Sequence, residues 1–531
     1  MATTTNLRIR RSEAQLHALA GVEREIRVTD PSGRRKYLQA FAQAFRSYQS
    51  VLTAEQLKNT VNAADVVLVG DYHALPAAQR FAARLVEERC QPGDRPVVLG
   101  VETIFARDQH ILEEWWRREI DEDELRQRIR FDLDWGYDWA PFYELLVTAR
   151  EHAEGIYGLD CMPREDLRKI GARDRHAAHK IGEIRARHPN AVVMVLFGES
   201  HLAPGHLPRL LRQQLPEACL LTVLQNVDAL YWRAAGEQHE HVEAVQVAGD
   251  VVCVFNSTPL EKYENYRLHL SRWGRSEEDG PDVVPTIFNL IDSLLRFLEI
   301  NRYSARNGTQ PKFLVDLLPE VIGGPEDRLR RLLARKGVAE EAQKAMLAQI
   351  EERGSLYLPA WNTLYVRDFQ MVYAAEETAR FLHHACRGLP ARNDGHSSDA
   401  ADRFYRLAVE HALAYLGSRV LYPARPAVRS DDELSRTACE EIMEAALRGD
   451  RLKLECSARE LGYSLGSELY DEYLAGGLGR TRLRRLFLAR LEQPGKAREV
   501  CWDLIGRGRS CRKKRPRGVA LGPLAQRRIT G

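Results

Sequence analysis

The sequence predicts a three-layer α/β domain with a mostly parallel sheet, followed by an all-α C-terminal domain. Three observations carry this. Short apolar, β-branched runs alternate with longer amphipathic stretches through the first half. Those runs are continuously apolar, as strands covered on both faces must be. Beyond residue 272 they thin out and the apolar residues take helical spacing.

Residues 1–60 read as a helical lead-in, with Tyr37, Phe41, Phe45 and Tyr48 at helical spacing. The α/β domain is expected over 61–272. Its strands are DVVLVG (65–70), PVVLGVE (96–102), GIYGLD (155–160), AVVMVLFG (191–198), CLLTVLQN (219–226) and DVVCVFN (250–256). Helical stretches such as PAAQRFAARLVEERC supply the crossovers between them. A polar, Gly-containing segment, SRWGRSEEDGPDV, follows as a linker. The helical domain is expected over 283–503. It begins with Ile287, Leu290, Ile291, Leu294, Leu295 and Leu298 on one face, and further helices fall around 326–352, 361–387, 401–420, 432–449, 455–475 and 479–492. Residues 504–531 form a basic tail, expected to be disordered.

Composition narrows the function classes. The 531 residues allow two to four domains at roughly 100–200 residues each. The tail holds nine Arg or Lys and no acid, which leaves 68 basic against 75 acidic residues in the rest. Nucleic acid is therefore excluded as a partner except for weak contact by the tail, which lacks interleaved aromatics for base stacking. The nine cysteines are scattered singly, as in a reducing compartment. There is no signal-peptide-like apolar run and no uninterrupted stretch of about 18 apolar residues. The expectation is a cytoplasmic protein with no membrane span.

The chemistry is expected at the strand ends, where open parallel sheets bind ligands. DVVLVG runs into Asp71-Tyr72-His73, PVVLGV into Glu102, GIYGL into Asp160, and VVMVLF into Gly198-Glu199-Ser200-His201. Two strands thus end in the same G-x-x-H pattern, in which glycine permits a sharp turn and the His folds back over the rim. Two imidazoles with carboxylates beside them suit two jobs. They can hold a divalent metal through His73, His201 and Glu102, or one His can act as a general base oriented by an acid.

These residues resemble a known family. The array GDYHALP, VLGVETIFARDQ, the RDRHAAHKI helix and VLFGESHL is similar to the ChaN-like haem-binding uptake/Tiki superfamily, whose relatives include Tiki proteases, TraB-like proteins and erythromycin esterases. The resemblance covers about residues 60–270. It implies an active centre of His73, His201 and Glu102, supported by Arg173, with Asp71 where many relatives carry Glu. It also implies haem as a cofactor alternative to the metal. Tyr72, inside the first motif, is the one candidate axial ligand, against a reading as a rim aromatic.

Other polar clusters carry less. His176 and His179 share a charged helix face, and His239 and His241 sit in an expected hairpin arm. Glu376, Glu377, His383 and His384 lack the repeated Glu-x-x-His spacing of a carboxylate-bridged metal site. The stretch Phe131–Trp139 is either a wall over the site or core. The function read from the sequence is hydrolysis of an ester or amide in a small-molecule or peptide substrate. The alternative is a haem- or iron-binding protein without turnover. In either case the helical domain would contact a partner protein.

Overall fold

The computed structural model describes residues 12–30, 36–90, 93–162, 170–237, 242–272, 280–301, 318–387, 399–428, 436–449, 451–491 and 493–514. Two units emerge. One comprises Met1–Asn289 with Tyr422–Pro426, the other Leu290–Leu421 with Ala427–Gly531. The division falls inside the helix Val284–Phe297, which the periodicity assigns wholly to the second domain.

The first unit is built on an eight-stranded sheet. Its strands are β1 (Ser50–Leu52), β2 (Val66–Asp71), β3 (Val97–Phe105), β4 (Gly155–Asp160), β5 (Val192–Gly198), β6 (Leu220–Gln225), β7 (Ala244–Ala248) and β8 (Val251–Val254). Their order across the sheet is β1-β7-β8-β6-β2-β5-β3-β4. All six strands expected from the apolar runs are present and run parallel. The edge strand β1 and its neighbour β7, which pairs antiparallel with both β1 and β8, go beyond that expectation. β1 is three residues long with an exposed Ser50, and β7 is only partly buried, so neither writes a continuous apolar run.

The interior strands β2, β3 and β5 are buried along their whole length. Fully burying each of their Val, Leu or Phe side chains contributes roughly 1.5–3 kcal/mol. Helices cover the sheet with matching stripes. Pro76–Arg89 starts on a proline, whose missing N–H costs nothing at that position, and buries Ala78, Ala82 and Val86. Trp139–His152 buries Phe142, Leu145, Leu146 and Ala149 against the same core. β3 slips in register against β4 between Val101 and Phe105, at the level of Glu102. A Cβ on Gly158 of β4 would stand 2.7 Å from the Phe105 carbonyl oxygen, so only glycine lets β4 follow this irregularity.

The second unit is mainly helical, as expected, with its longest helices at Met371–Arg387, Ala400–Leu421 and Arg451–Leu474. It also holds a small sheet of β9 (Glu320–Gly323), β10 (Ser355–Leu358) and β11 (Thr363–Val366). The stretch 361–387, expected as one helix, therefore begins as a strand. Four apolar residues cannot separate a strand from a helical turn. Here the turns decide, with positive φ at Gly354 and Asn362.

Glu376, Glu377 and His383 of this unit are buried and each is bonded within it. Tyr463 donates to Glu376 at 2.6 Å, the Tyr357 N–H donates to Glu377 at 2.8 Å, and His383 Nδ1 lies 3.1 Å from the Phe487 carbonyl. The last described helix runs from Lys496 to Lys514, into the expected tail. Residues 515–531 lie outside the described residues, as do His239 and His241. Among the described residues, no helix is long and apolar enough to cross a membrane.

Candidate active site

The carboxyl ends of β2, β3, β4 and β5 converge on one rim of the sheet. At the end of β2, Asp71 turns inward and His73 folds back over it, with Nδ1 2.7 Å from Asp71 Oδ2. The Gln79 amide, one turn into the following helix, donates to the other Asp71 oxygen. With Asp71 accepting on both oxygens, His73 carries its proton on Nδ1 and turns the Nε2 lone pair inward. Nε2 lies 3.9 Å from Glu102 Oε2. Burial pulls His73 down, but the Asp71 carboxylate overcomes it and holds the imidazole above its usual range.

Glu102 is the centre of the arrangement. Arg173 donates to one of its oxygens and the Gly198 N–H to the other. Arg173 is itself fixed on Asp160 by paired bonds of 2.8 and 2.9 Å, a fork that holds the guanidinium in plane. Burial pushes the Glu102 carboxyl up, yet Arg173 and the two histidines win and hold it down to about 2. A Cβ on Gly198 would lie 3.0 Å from Glu102 Oε2 and 3.2 Å from His73 Nε2. The glycine of the second G-x-x-H motif thus sits where β5 approaches the site closely, and a side chain there would need Glu102 and His73 to give way.

His201, from the same motif, is the counterpart of His73. Its Nδ1 lies 2.5 Å from Asp174 Oδ1 and its Nε2 3.7 Å from Glu102 Oε1. Asp174 Oδ2 is taken by His206 Nδ1 at 2.8 Å. Burial lifts the Asp174 carboxyl, but the bonds from these two imidazoles bring it below its usual value. The result is two Asp–His pairs pointing their Nε2 atoms at one ionised glutamate.

The structure brings together Asp71, His73, Glu102, Arg173 and His201, all expected from the sequence. It joins to them Asp160, also expected at a strand end, and Asp174, the neighbour of Arg173, and adds Gln79 and His206. Tyr72 goes elsewhere. Its ring lies under the Lys262 ammonium at 4.5 Å and beside Tyr266 at 5.9 Å. Lys262 is buried and reaches Glu199 at 3.2 Å. Burial alone would lower this ammonium, but Glu199 and Asp228 hold it above its usual range. The stretch 131–139 divides between its two readings. Trp135 and Tyr137 pack on His73 at 4.4 and 5.2 Å, whereas Trp139 stacks in the core on Tyr143. His269 stacks on Tyr137 at 4.1 Å, and burial pushes it down to about 4, so it is neutral. The side chain of His73 keeps 22% of its surface exposed, while those of Glu102, Arg173 and His201 are buried, so His73 is their way out to solvent.

A metal suits this donor set poorly. Among the described residues no three His, Cys, Asp or Glu side chains form a ligand group. Glu102 already faces a guanidinium, which would repel a cation bound to the same carboxylate. For haem, His201 Nε2 is buried against Glu102, whereas His73 keeps part of its surface exposed and is the imidazole that could reach a bound group. Burial and Glu199 hold the Tyr72 phenol well above its usual pKa, against a tyrosinate ligand.

Comparisons with known proteins bear on the same region. No curated protein matches the chain significantly. One solved structure that matches is that of ChaN of Campylobacter jejuni with cofacially bound heme, at 15% identity over 33% of this chain and 86% of that one, with a TM-score of 0.26. Residues 57–177 match the family described as haem-binding uptake, Tiki superfamily, ChaN. That span includes Asp71, His73, Glu102, Asp160, Arg173 and Asp174, and stops before His201. Over residues 57–177 the chain is thus similar to the ChaN-type family of the Tiki superfamily.

Proposed function

We propose that the α/β unit is a metal-independent hydrolase of ester or amide bonds, with His73 as its general base. The observation that carries this is the 2.7 Å Asp71–His73 pair, whose Nε2 stands at the exposed margin of the buried Glu102–Arg173–Asp160 cluster. A water beside His73 Nε2 would give its proton to the imidazole as it attacks the carbonyl. The protonated imidazole would then return that proton to the leaving oxygen or nitrogen. Asp71 holds the tautomer and stabilises the imidazolium. Glu102, kept ionised by Arg173 and the Gly198 N–H, adds a second stabilising charge and orients the water. Nε and one terminal nitrogen of Arg173 are spent on carboxylates, so its role is to hold Glu102 rather than to receive an oxyanion.

The test is turnover of a panel of p-nitrophenyl esters and aminoacyl anilides by the full chain, with and without a chelator. The expected result is chelator-insensitive hydrolysis that falls by roughly 10²–10⁴-fold in His73→Ala. No turnover across the panel, or full activity in His73→Ala, overturns the reading. The family description favours a second reading, haem binding without turnover. A Soret band on titration with haem that disappears in His73→Ala, in a chain that hydrolyses nothing, would establish it instead.

A further inference from the structure

Asp174 serves two imidazoles, and only one of them belongs to a sequence motif. Arg173 and Asp174 are neighbours on the helix Ile170–Arg187, about 100° apart around its axis. Arg173 consequently reaches the ends of β3 and β4, while Asp174 reaches the turn Glu199–Leu202 that carries His201. His206 approaches Asp174 from beyond that turn. It is the residue immediately before the helix Leu207–Gln214, and its backbone is fixed there. Its N–H donates to the Ala203 carbonyl at 2.9 Å, and its own carbonyl accepts from the Arg209 N–H at 3.1 Å. Its imidazole is thus delivered to Asp174 from a rigid position. The side chain of His206 is 22% exposed, whereas those of Asp174 and His201 are almost wholly buried.

We propose that His206 is a positioning residue for His201. By donating Nδ1–H to Asp174 Oδ2, it fixes the plane of that carboxylate, so that Oδ1 stays on His201 Nδ1 and His201 Nε2 stays turned to Glu102. A carboxylate held on one oxygen alone can rotate about its Cβ–Cγ bond, and the imidazole bonded to it follows. Held on both oxygens it cannot. Partners of this kind, one step removed from the reacting groups, typically matter by about 10–100-fold in activity. The inference deepens the hydrolase reading and rests on it for its kinetic consequence, but the geometry it asserts is measurable without turnover.

The experiment compares the full-length wild type with His206→Ala, His206→Asn, Asp174→Asn and His201→Gln. Asn places an amide N–H close to the position of the imidazole Nδ1–H, so it keeps the donor. Histidine-selective ¹⁵N labelling isolates the downfield imidazole protons bound to Asp174, both lost in Asp174→Asn; the one also lost in His201→Gln is that of the His201–Asp174 bond. The expected result is a sharp resonance in wild type and His206→Asn, broadened or lost in His206→Ala. In His206→Ala kcat falls about 10–100-fold with KM unchanged, and His206→Asn restores most of it. A His206→Ala protein that keeps both the resonance and kcat overturns the proposal. So does an Asn variant as impaired as the Ala one, since that would make His206 packing alone. If the wild type hydrolyses nothing, the hydrolase reading fails while the resonance still decides the positioning role.

Discussion

Replacing Arg173 by Met removes the guanidinium that links Asp160 and Glu102 while keeping most of the side-chain volume. Arg173 makes two bonds to Asp160 and one to Glu102, all buried. It is the largest of the influences, with His201, His73 and the Gly198 N–H, that together hold Glu102 from 4.5 down to about 2 against burial. At about 1.36 kcal/mol per pKa unit, that drop corresponds to about 3 kcal/mol favouring the folded state at neutral pH. Removing one partner of a buried ion pair typically costs about 3–5 kcal/mol, because the other charge is left buried.

The sign of the pH dependence is the sharper test. In the wild type the Glu102 contribution is fully present above pH 4.5 and is lost as pH falls from there toward 2. Burial is already the largest single influence on Glu102, and without Arg173 only the two histidines and the Gly198 N–H oppose it, so the carboxyl rises. Relative to wild type the variant therefore loses most stability at neutral pH and less as pH falls and Glu102 takes up a proton. Urea unfolding at pH 7 and pH 5 measures this, followed by tryptophan fluorescence, to which Trp135 beside His73 contributes. The reasoning is refuted if Arg173→Met is as stable as wild type at pH 7, or if the two proteins change in parallel between the two pH values.

Three further outcomes follow from the same geometry. Asp71→Asn removes the charge that raises His73, so the acid limb of kcat/KM should move from above pH 6.5 to below it, with the plateau falling roughly 10²–10⁴-fold; pH–rate profiles measure both. Gly198→Ala puts a methyl 3.0 Å from Glu102 Oε2 and 3.2 Å from His73 Nε2, at an overpacking cost of about 1–3 kcal/mol, and should abolish hydrolysis while the circular dichroism spectrum is kept. Lys262→Met strands Glu199 in a buried site and should cost about 3–5 kcal/mol in urea unfolding; adding Glu199→Gln should return most of it.

The parts of this site visible in the sequence are those that local chemistry writes. An apolar run that ends in a titratable group marks a strand and the residue at its tip together, which is why Asp71, His73, Glu102, Asp160 and His201 can be placed at strand ends from their neighbours in the chain. Arg173 follows from the family resemblance rather than from spacing. What stays hidden depends on who meets whom. Nothing in GESHLAPGH says that His206 shares a carboxylate with His201, and nothing in the helix Pro259–Arg272 says that Lys262 will pair with Glu199. The amides of Gln225, Asn226 and Asn256 form a chain that ends on the Gly70 carbonyl, through a 2.7 Å bond from Gln225, and steady the first motif from two neighbouring strands. Such contacts are set by strand order, which an apolar run does not encode. The small sheet of the second unit stays hidden because four-residue strands carry no period.

Strand order also bears on how the site comes into being. β2 and β3 do not pair with each other; each pairs with β5, which leaves the ribosome only after β4 and the helix that follows it. Until β5 is made, β2 and the β3–β4 pair lack the strand that joins them in the sheet, and Glu102 lacks the Gly198 N–H and His201. Such long-range closures are slow and leave edges exposed meanwhile, which makes this interval the one in which chaperone capture or aggregation would act. A chain cut at residue 177, the end of the family-matched span, would never leave that interval.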